Sequence, residues 1–177
     1  MSKLGLMALW TATTFTLAIS GNAQDLGQVV SESDLAKWDI SIGPDGVGLP
    51  AGSGSAAEGE TVWLEQCSAC HGEKGKGGPA GDLVGGIGTL TRPDHVKTVG
   101  SFWPYSTTLY DYVRRAMPYY APGSLADDEV YAVVAYLLSQ NEIISDSAVM
   151  DATSLPEVEM PNADGFISYW PSPETEN

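Results

Sequence analysis

The sequence holds two cysteines, and they stand as Cys67-Ser68-Ala69-Cys70-His71. Two thiols separated by two residues and followed at once by an imidazole form the attachment signature of a c-type haem. The spacing has a physical reason. Two intervening residues set the thiols to reach two vinyl groups on one haem edge, and the next residue can turn its imidazole onto the iron. Three other chemistries use a Cys-x-x-Cys pair: a structural disulfide, a redox-active dithiol and half of a zinc site. A zinc site needs two further ligands, and the only other histidine is His95. A thioredoxin-like dithiol belongs beside a βαβ pattern, which is absent here. The residues therefore favour one covalent haem on Cys67 and Cys70, with His71 as a ligand to its iron.

A second axial ligand has few candidates, because Met117, Met150, Met160 and His95 are the strong haem ligands left beyond residue 23. Met117 is the first choice. It stands 46 residues past His71, at an expected helix end, and is followed by Pro118 and a loop. A thioether there leaves no open position on the iron and raises its potential relative to two histidines. Met160, also followed by a proline, is the main rival. His95 is weaker, since Arg92-Pro93-Asp94-His95 reads as a polar surface turn. An iron-bound imidazole donates its other N–H to an orienting acceptor, for which the carbonyl of Pro79 is the candidate. Trp103, Tyr105, Tyr110 and Arg92 are candidates to meet the haem edge or its propionates, although aromatics beside helices also simply fill cores.

The elements that must position these groups are helical. Gly59, Val62, Trp63, Cys67 and Cys70 recur at three- and four-residue steps, so one helix starting near Ser55 presents both thiols on one face. From Gly72 to Gly100 the chain is glycine-rich and aperiodic, which suits a loop wrapped around a ligand. A second helix is expected from Thr107 or Thr108, with Leu109, Tyr110, Val113 and Met117 on one side and Arg114 and Arg115 in its last turn. It should stop at Met117, because Pro118 pushes the preceding residue out of the helical region. The third helix is expected to be capped by Ser124, loaded with Asp127, Asp128 and Glu129, and striped by Val130, Val133, Val134, Leu137 and Leu138. No strand pattern is strong enough to build a sheet.

Around this domain, placed at 55–141, residues 24–54 read as an extended arm and 142–177 as an acidic tail. A short helix is expected near Ser31, capped through Asp34. Residues 1–23 carry one charge, Lys3, then an apolar stretch and Gly21-Asn22-Ala23, the pattern of a signal peptide cleaved after Ala23. An uncleaved membrane anchor is the competing reading of that stretch. No later segment is apolar enough to span a bilayer, so the exported chain is expected to be soluble and periplasmic. The full chain carries a net charge of −15, with 8 Lys plus Arg against 23 Asp plus Glu. Loss of Lys3 with the leader leaves seven against 23, a net of −16. Nucleic acid is excluded as a partner, and a basic cytochrome or oxidase is favoured.

A helix into Cys-x-x-Cys-His, an irregular loop, a Met-Pro segment and a last amphipathic helix together resemble a class I cytochrome c. The resemblance implies an all-α fold: a small helical domain wrapped around one covalent haem, its first and last helices crossing at a small residue and an aromatic. Gly59 and Tyr136 match those parts. A closer likeness runs from about Trp38 to Ile167. Thr98-Val99-Gly100-Ser101-Phe102-Trp103-Pro104-Tyr105, Arg115-Ala116-Met117-Pro118, Asp127-Asp128-Glu129-Val130-Tyr131-Ala132 and Glu159-Met160-Pro161-Asn162-Ala163 are similar to the SoxD-like cytochrome subunits of sulfur and sulfite dehydrogenases. That resemblance implies a non-catalytic electron-transfer subunit partnered by a SoxC-like protein with a molybdenum cofactor. Better-known members carry a second haem domain, and this chain has one attachment motif. A free-standing electron carrier between respiratory complexes is the alternative function, and haem catalysis or gas sensing at an exchangeable sixth ligand is a third.

Overall fold

The computed structural model describes residues 27 and 29–167; the expected leader, and Tyr169 and Trp170 of the expected tail, lie outside the described residues. The chain divides into two compact units, Met1–Trp38 and Asp39–Asn177. In the first, the helix expected near Ser31 is α1 (Glu32–Trp38). The Ser31 hydroxyl accepts from the Asp34 amide at 3.2 Å and donates to the Asp34 carboxylate at 2.6 Å. None of its residues is buried.

The second unit is built on a crossing of two helices. The first, α2 (Ala56–Gln66), starts at a full capping box. Ser55 Oγ accepts from the Glu58 amide, and the Glu58 carboxylate accepts from the Ser55 amide at 2.9 Å. The Ser55 hydroxyl also donates to the Glu58 carboxylate at 2.7 Å, and this bond first, with the Ser55 amide second, holds the Glu58 carboxyl below its ordinary value. The partner is α6 (Asp127–Gln140), in which every residue from Val130 to Ser139 is buried. At the crossing a Cβ on Gly59 would overlap the carbonyl oxygen of Ala132 and press on Tyr136 at 2.9 Å. Glycine is therefore required by backbone-to-backbone approach, and Gly59 and Tyr136 take the parts expected of them.

The helix α6 is not capped by Ser124 as expected. Its N-cap is Ala126, which has no side-chain acceptor, and the Glu129 carboxylate instead takes the Ala126 amide at 2.8 Å. Half a capping box, with three acids in the first turn, replaces the serine. A third helix, α5 (Ser106–Ala116), buries Leu109, Tyr110 and Val113 and stops where Pro118 dictates, with Met117 in an extended conformation. Tyr110 stacks on Tyr131 of α6 with ring centroids 4.4 Å apart.

The expected arm and tail differ most from the structure. Ile42, Met150, Leu155 and Met160 are buried members of the same apolar cluster as the helices. A small sheet, which sequence periodicity did not predict, joins the two segments. Strand β1 (Ser53–Ser55) pairs antiparallel with β2 (Val149–Asp151), with Gly54 opposite Met150. Three-residue strands are too short to show an alternation, which explains why they escape a reading by period. The strap that follows is tied by side chains to main chain. Ser106 Oγ donates to the Leu155 carbonyl at 2.6 Å, and Asn162 Nδ2 to the Phe102 carbonyl at 2.8 Å. Among the described residues no helix is long and apolar enough to cross a membrane.

Candidate functional site

The attachment motif sits at a helix junction. Backbone from α2 continues through Cys67 into one further turn, α3 (Ser68–His71), with the amides of Cys70 and His71 both bonded to the Cys67 carbonyl. Gly72 then turns the chain at φ 79°, where a Cβ would overlap the carbonyl of Lys76. Trp63, one turn before Cys67, is fully buried and fixes this corner, its indole N–H donating to the Gly72 carbonyl at 3.0 Å. Its ring lies 6.0 Å from the His71 imidazole and 5.6 Å from Tyr136. Tyr136 in turn donates its hydroxyl to the Glu73 carbonyl at 3.0 Å. The motif is thus held by the two aromatics of the α2–α6 crossing.

The glycine-rich loop after the motif is irregular as expected, until the one-turn helix α4 (Val99–Phe102). Buried Asn141, at the C-terminal cap of α6, anchors it from below: Oδ1 accepts from the Gly85 amide at 2.9 Å and Nδ2 donates to the Leu83 and Leu137 carbonyls. The Ala80 amide bonds to the Cys70 carbonyl at 2.9 Å, bending the loop back over the motif.

Between motif, loop and helices lies a cavity of about 530 Å³. Cys67, Cys70 and His71 form one wall. Leu83, Val99, Leu109, Val113, Val133 and Leu137 give it an apolar floor, and Trp103, Tyr112, Met117, Tyr119 and Tyr120 are further parts of its lining. Of the sequence-expected residues the cavity therefore gathers both cysteines, His71, Met117 and Trp103. Trp103 and Tyr112 meet edge to face at 5.6 Å. The other candidates, Arg92 and Tyr105 among them, do not line this cavity. Arg92 is exposed and engaged by Asp94 at 2.7 Å. Tyr105 and the rival Met160 line a separate cleft with Glu157 and Glu159. His95 is exposed, as its polar turn suggested. Pro79 is not part of the cavity wall, and its carbonyl does not meet His71.

The floor residues Leu109, Val113, Val133 and Leu137 were legible only as core stripes of their helices, and Val99 only as part of the glycine-rich loop. Nothing in their periodicity separates a stripe that meets another helix from one that meets a ligand. Tyr112, Tyr119 and Tyr120 were missed, and a cluster of aromatics around Met117 was the signal that was available.

Three observations test whether these residues suit a haem. His71 lines the cavity, and its buried Nδ1 has no hydrogen-bond partner among the described residues, a costly state for a polar atom and one that leaves the imidazole untied to the protein around it. Burial, and secondarily the nearby Cys70, push the Cys67 thiol up to about 11, so it stays protonated and is a poor free thiolate for metal or redox work. Among the described residues no three His, Cys, Asp or Glu side chains converge as a metal-binding set. An apolar cavity of this size, two uncrosslinked thiols on its wall and an unpartnered imidazole fit a covalent haem and disfavour a zinc site.

Comparison with known proteins agrees. Residues 56–141 match the family model described as cytochrome c. A chain in the crystal structure of the sulfane dehydrogenase SoxCD from Paracoccus pantotrophus is 38% identical, with a TM-score of 0.75 over 86% of this chain and 74% of that one. A thiosulfate dehydrogenase of Stutzerimonas stutzeri (strain A1501) is 33% identical over 92 residues, which are 51% of this chain and 29% of the relative. The chain thus spans less than a third of the length of that curated relative. The cavity, its motif and a likeness that runs over most of both structures lead to one assignment: the chain belongs to the class I c-type cytochromes, carries covalently bound haem c, and resembles the SoxD-type cytochrome.

Proposed function

We propose that this protein is the periplasmic, single-haem electron-transfer subunit of a molybdenum-containing sulfite or sulfane-sulfur dehydrogenase. Cys67 and Cys70 would hold the haem through thioethers, and His71 and Met117 would be the ligands to its iron. The bound haem supplies reversible one-electron redox chemistry. The protein's own residues do the rest. The apolar floor excludes water, Trp63 and Tyr136 fix the corner that carries His71, and Trp103 packs along the cavity.

The observation that carries this reading is the shared cavity. Both thiols, His71 and Met117 face one apolar space, whereas Met160, Met150 and His95 do not line it. A ligand set of one histidine and one methionine leaves no site for substrate on the iron, which suits a carrier rather than a catalyst. Oxidation of sulfur then belongs to the partner, a SoxC-like protein, and the acidic surface suits delivery of the electron to a basic cytochrome or oxidase. The likeness to the SoxCD chain supports the choice of partner. The leader over 1–23 supports export.

The test is to purify the tagged protein gently from the periplasm of its host, assay bound molybdenum, and record the haem spectrum as sulfite and thiosulfate are added. Co-purifying molybdenum together with haem reduction by either compound is the expected result. A cytochrome that comes away alone and stays oxidised would replace this reading with the free-standing carrier.

A further inference from the structure

The segment that carries Met117 packs against the core through Met117 and buried Pro118, but few hydrogen bonds tie it to the rest of the fold. Among the described residues its main-chain hydrogen bonds are all local: Met117 N to the Val113 carbonyl, Ala121 N to Pro118, and Ser124 N to Ala121. One side-chain bond leaves the segment. The Tyr120 hydroxyl donates to Gln66 Oε1 at 2.5 Å, across 54 residues of sequence. Gln66 is the last residue of α2 and immediately precedes Cys67. Both residues line the cavity, so the bond joins, at its lining, the segment next to the cysteines to the segment next to Met117.

We propose that Tyr120 and Gln66 form a latch that holds the Met117 loop closed against the haem-attachment helix, and so sets how readily Met117 leaves the iron. The proposal rests on the reading of Met117 as the sixth ligand. Tyr120 and Gln66 are positioning residues, since they act through the loop and not on the iron. Tyr120 is 70% exposed, so water competes for the bond, and its loss should be modest in size. Its leverage comes from location. With every other hydrogen bond of the loop local, opening the latch frees the far end of the segment without breaking α5 or α6.

The experiment uses the intact haem protein, with imidazole as the competing ligand. The variants are Tyr120→Phe, which keeps the ring and removes the donor, Gln66→Leu, which removes the acceptor, and the double variant. Each single variant should bind imidazole to the ferric protein about 2- to 10-fold faster than wild type, the range one hydrogen bond spans. The double should be no faster than the quicker single, because the two changes remove one shared interaction. Amide exchange at 118–124 should speed up in parallel, with α6 unchanged. Wild-type imidazole rates in both single variants, or fully additive effects in the double, would overturn the latch. The parent reading fails separately, and visibly, if wild-type ferric protein lacks the long-wavelength methionine–iron charge-transfer band. In that case the latch's effect on the iron falls with it, and amide exchange still reports whether the bond holds the loop.

Discussion

Two regions of this chain carry a methionine followed by proline, and they have opposite fates. Met117-Pro118 closes α5, and Met117, half-buried, lines the cavity that His71 also lines. Met160-Pro161 lies on the strap, with Met160 only 4% exposed, packed into the apolar cluster and lining a cleft that shares no residue with the first. The dipeptide is the same, so the dipeptide is not the signal. What differs is the element before it. A helix that runs along the cavity floor delivers its terminal methionine to the haem space, whereas a strap with no period delivers its methionine to whichever gap it covers. One thioether lines the cavity that holds the attachment motif, and the other has the gap-filling role for which methionine is well suited.

The largest test of this contrast is Met117→Ala. Ferric protein should lose the methionine–iron charge-transfer band altogether, its potential should fall, and it should bind cyanide quickly. Retention of the wild-type spectrum would erase the distinction between the two methionines. Met160→Ala should do the reverse: the spectrum persists, while a fully packed thioether side chain is lost from the core at a cost of about 2–5 kcal/mol, measurable by denaturant unfolding. A spectrum lost in Met160→Ala and kept in Met117→Ala would exchange the two roles.

The smallest effect concerns how the arm before β1 is held. Burial pushes the Tyr131 phenol up to about 12, with Asp151 and Asp127 adding to the effect, and its hydroxyl donates to the Pro50 carbonyl at 2.8 Å. The folded state therefore keeps a proton that the unfolded chain releases near its ordinary value of about 10. This contribution is complete below about pH 10 and is lost as pH rises towards 12. Unfolding free energy should fall over that window, and fall less steeply in Tyr131→Phe. Equal slopes in the two proteins would remove Tyr131 from the account.

Much of the site was legible because it is local. Five consecutive residues name the cofactor, Pro118 ends α5, and the valine and leucine stripe of α6 announces a core helix. The rest required tertiary information. Ile42, Met150, Leu155 and Met160 stand among glycines, prolines and acids with no period, so composition reads their segments as arm and tail, and only packing shows them to be core. Arg92 was a candidate to meet the haem edge or its propionates, and in the structure Asp94, two residues on, engages it. Ser124 was the obvious helix cap, yet two further residues of turn precede α6, and a glutamate inside the helix does part of the capping. In each case a local preference was real and a neighbour outside the reading window decided the outcome.

The little sheet between β1 and β2 has a consequence for how the domain holds together. Its strands pair Ser53 with Asp151, and two three-residue strands in water would never close so long a loop on their own. The α2–α6 crossing closes most of that loop in advance. Strand β1 ends where α2 begins, and β2 starts nine residues after α6 ends, so once Gly59 seats on Ala132 the strands are near neighbours along the path that remains. The sheet and the strap behind it inherit their closeness from the helices. Segments that read as loose ends are thereby thermodynamic dependants of the crossing, and the helical core and its clasp form and melt as one cooperative unit.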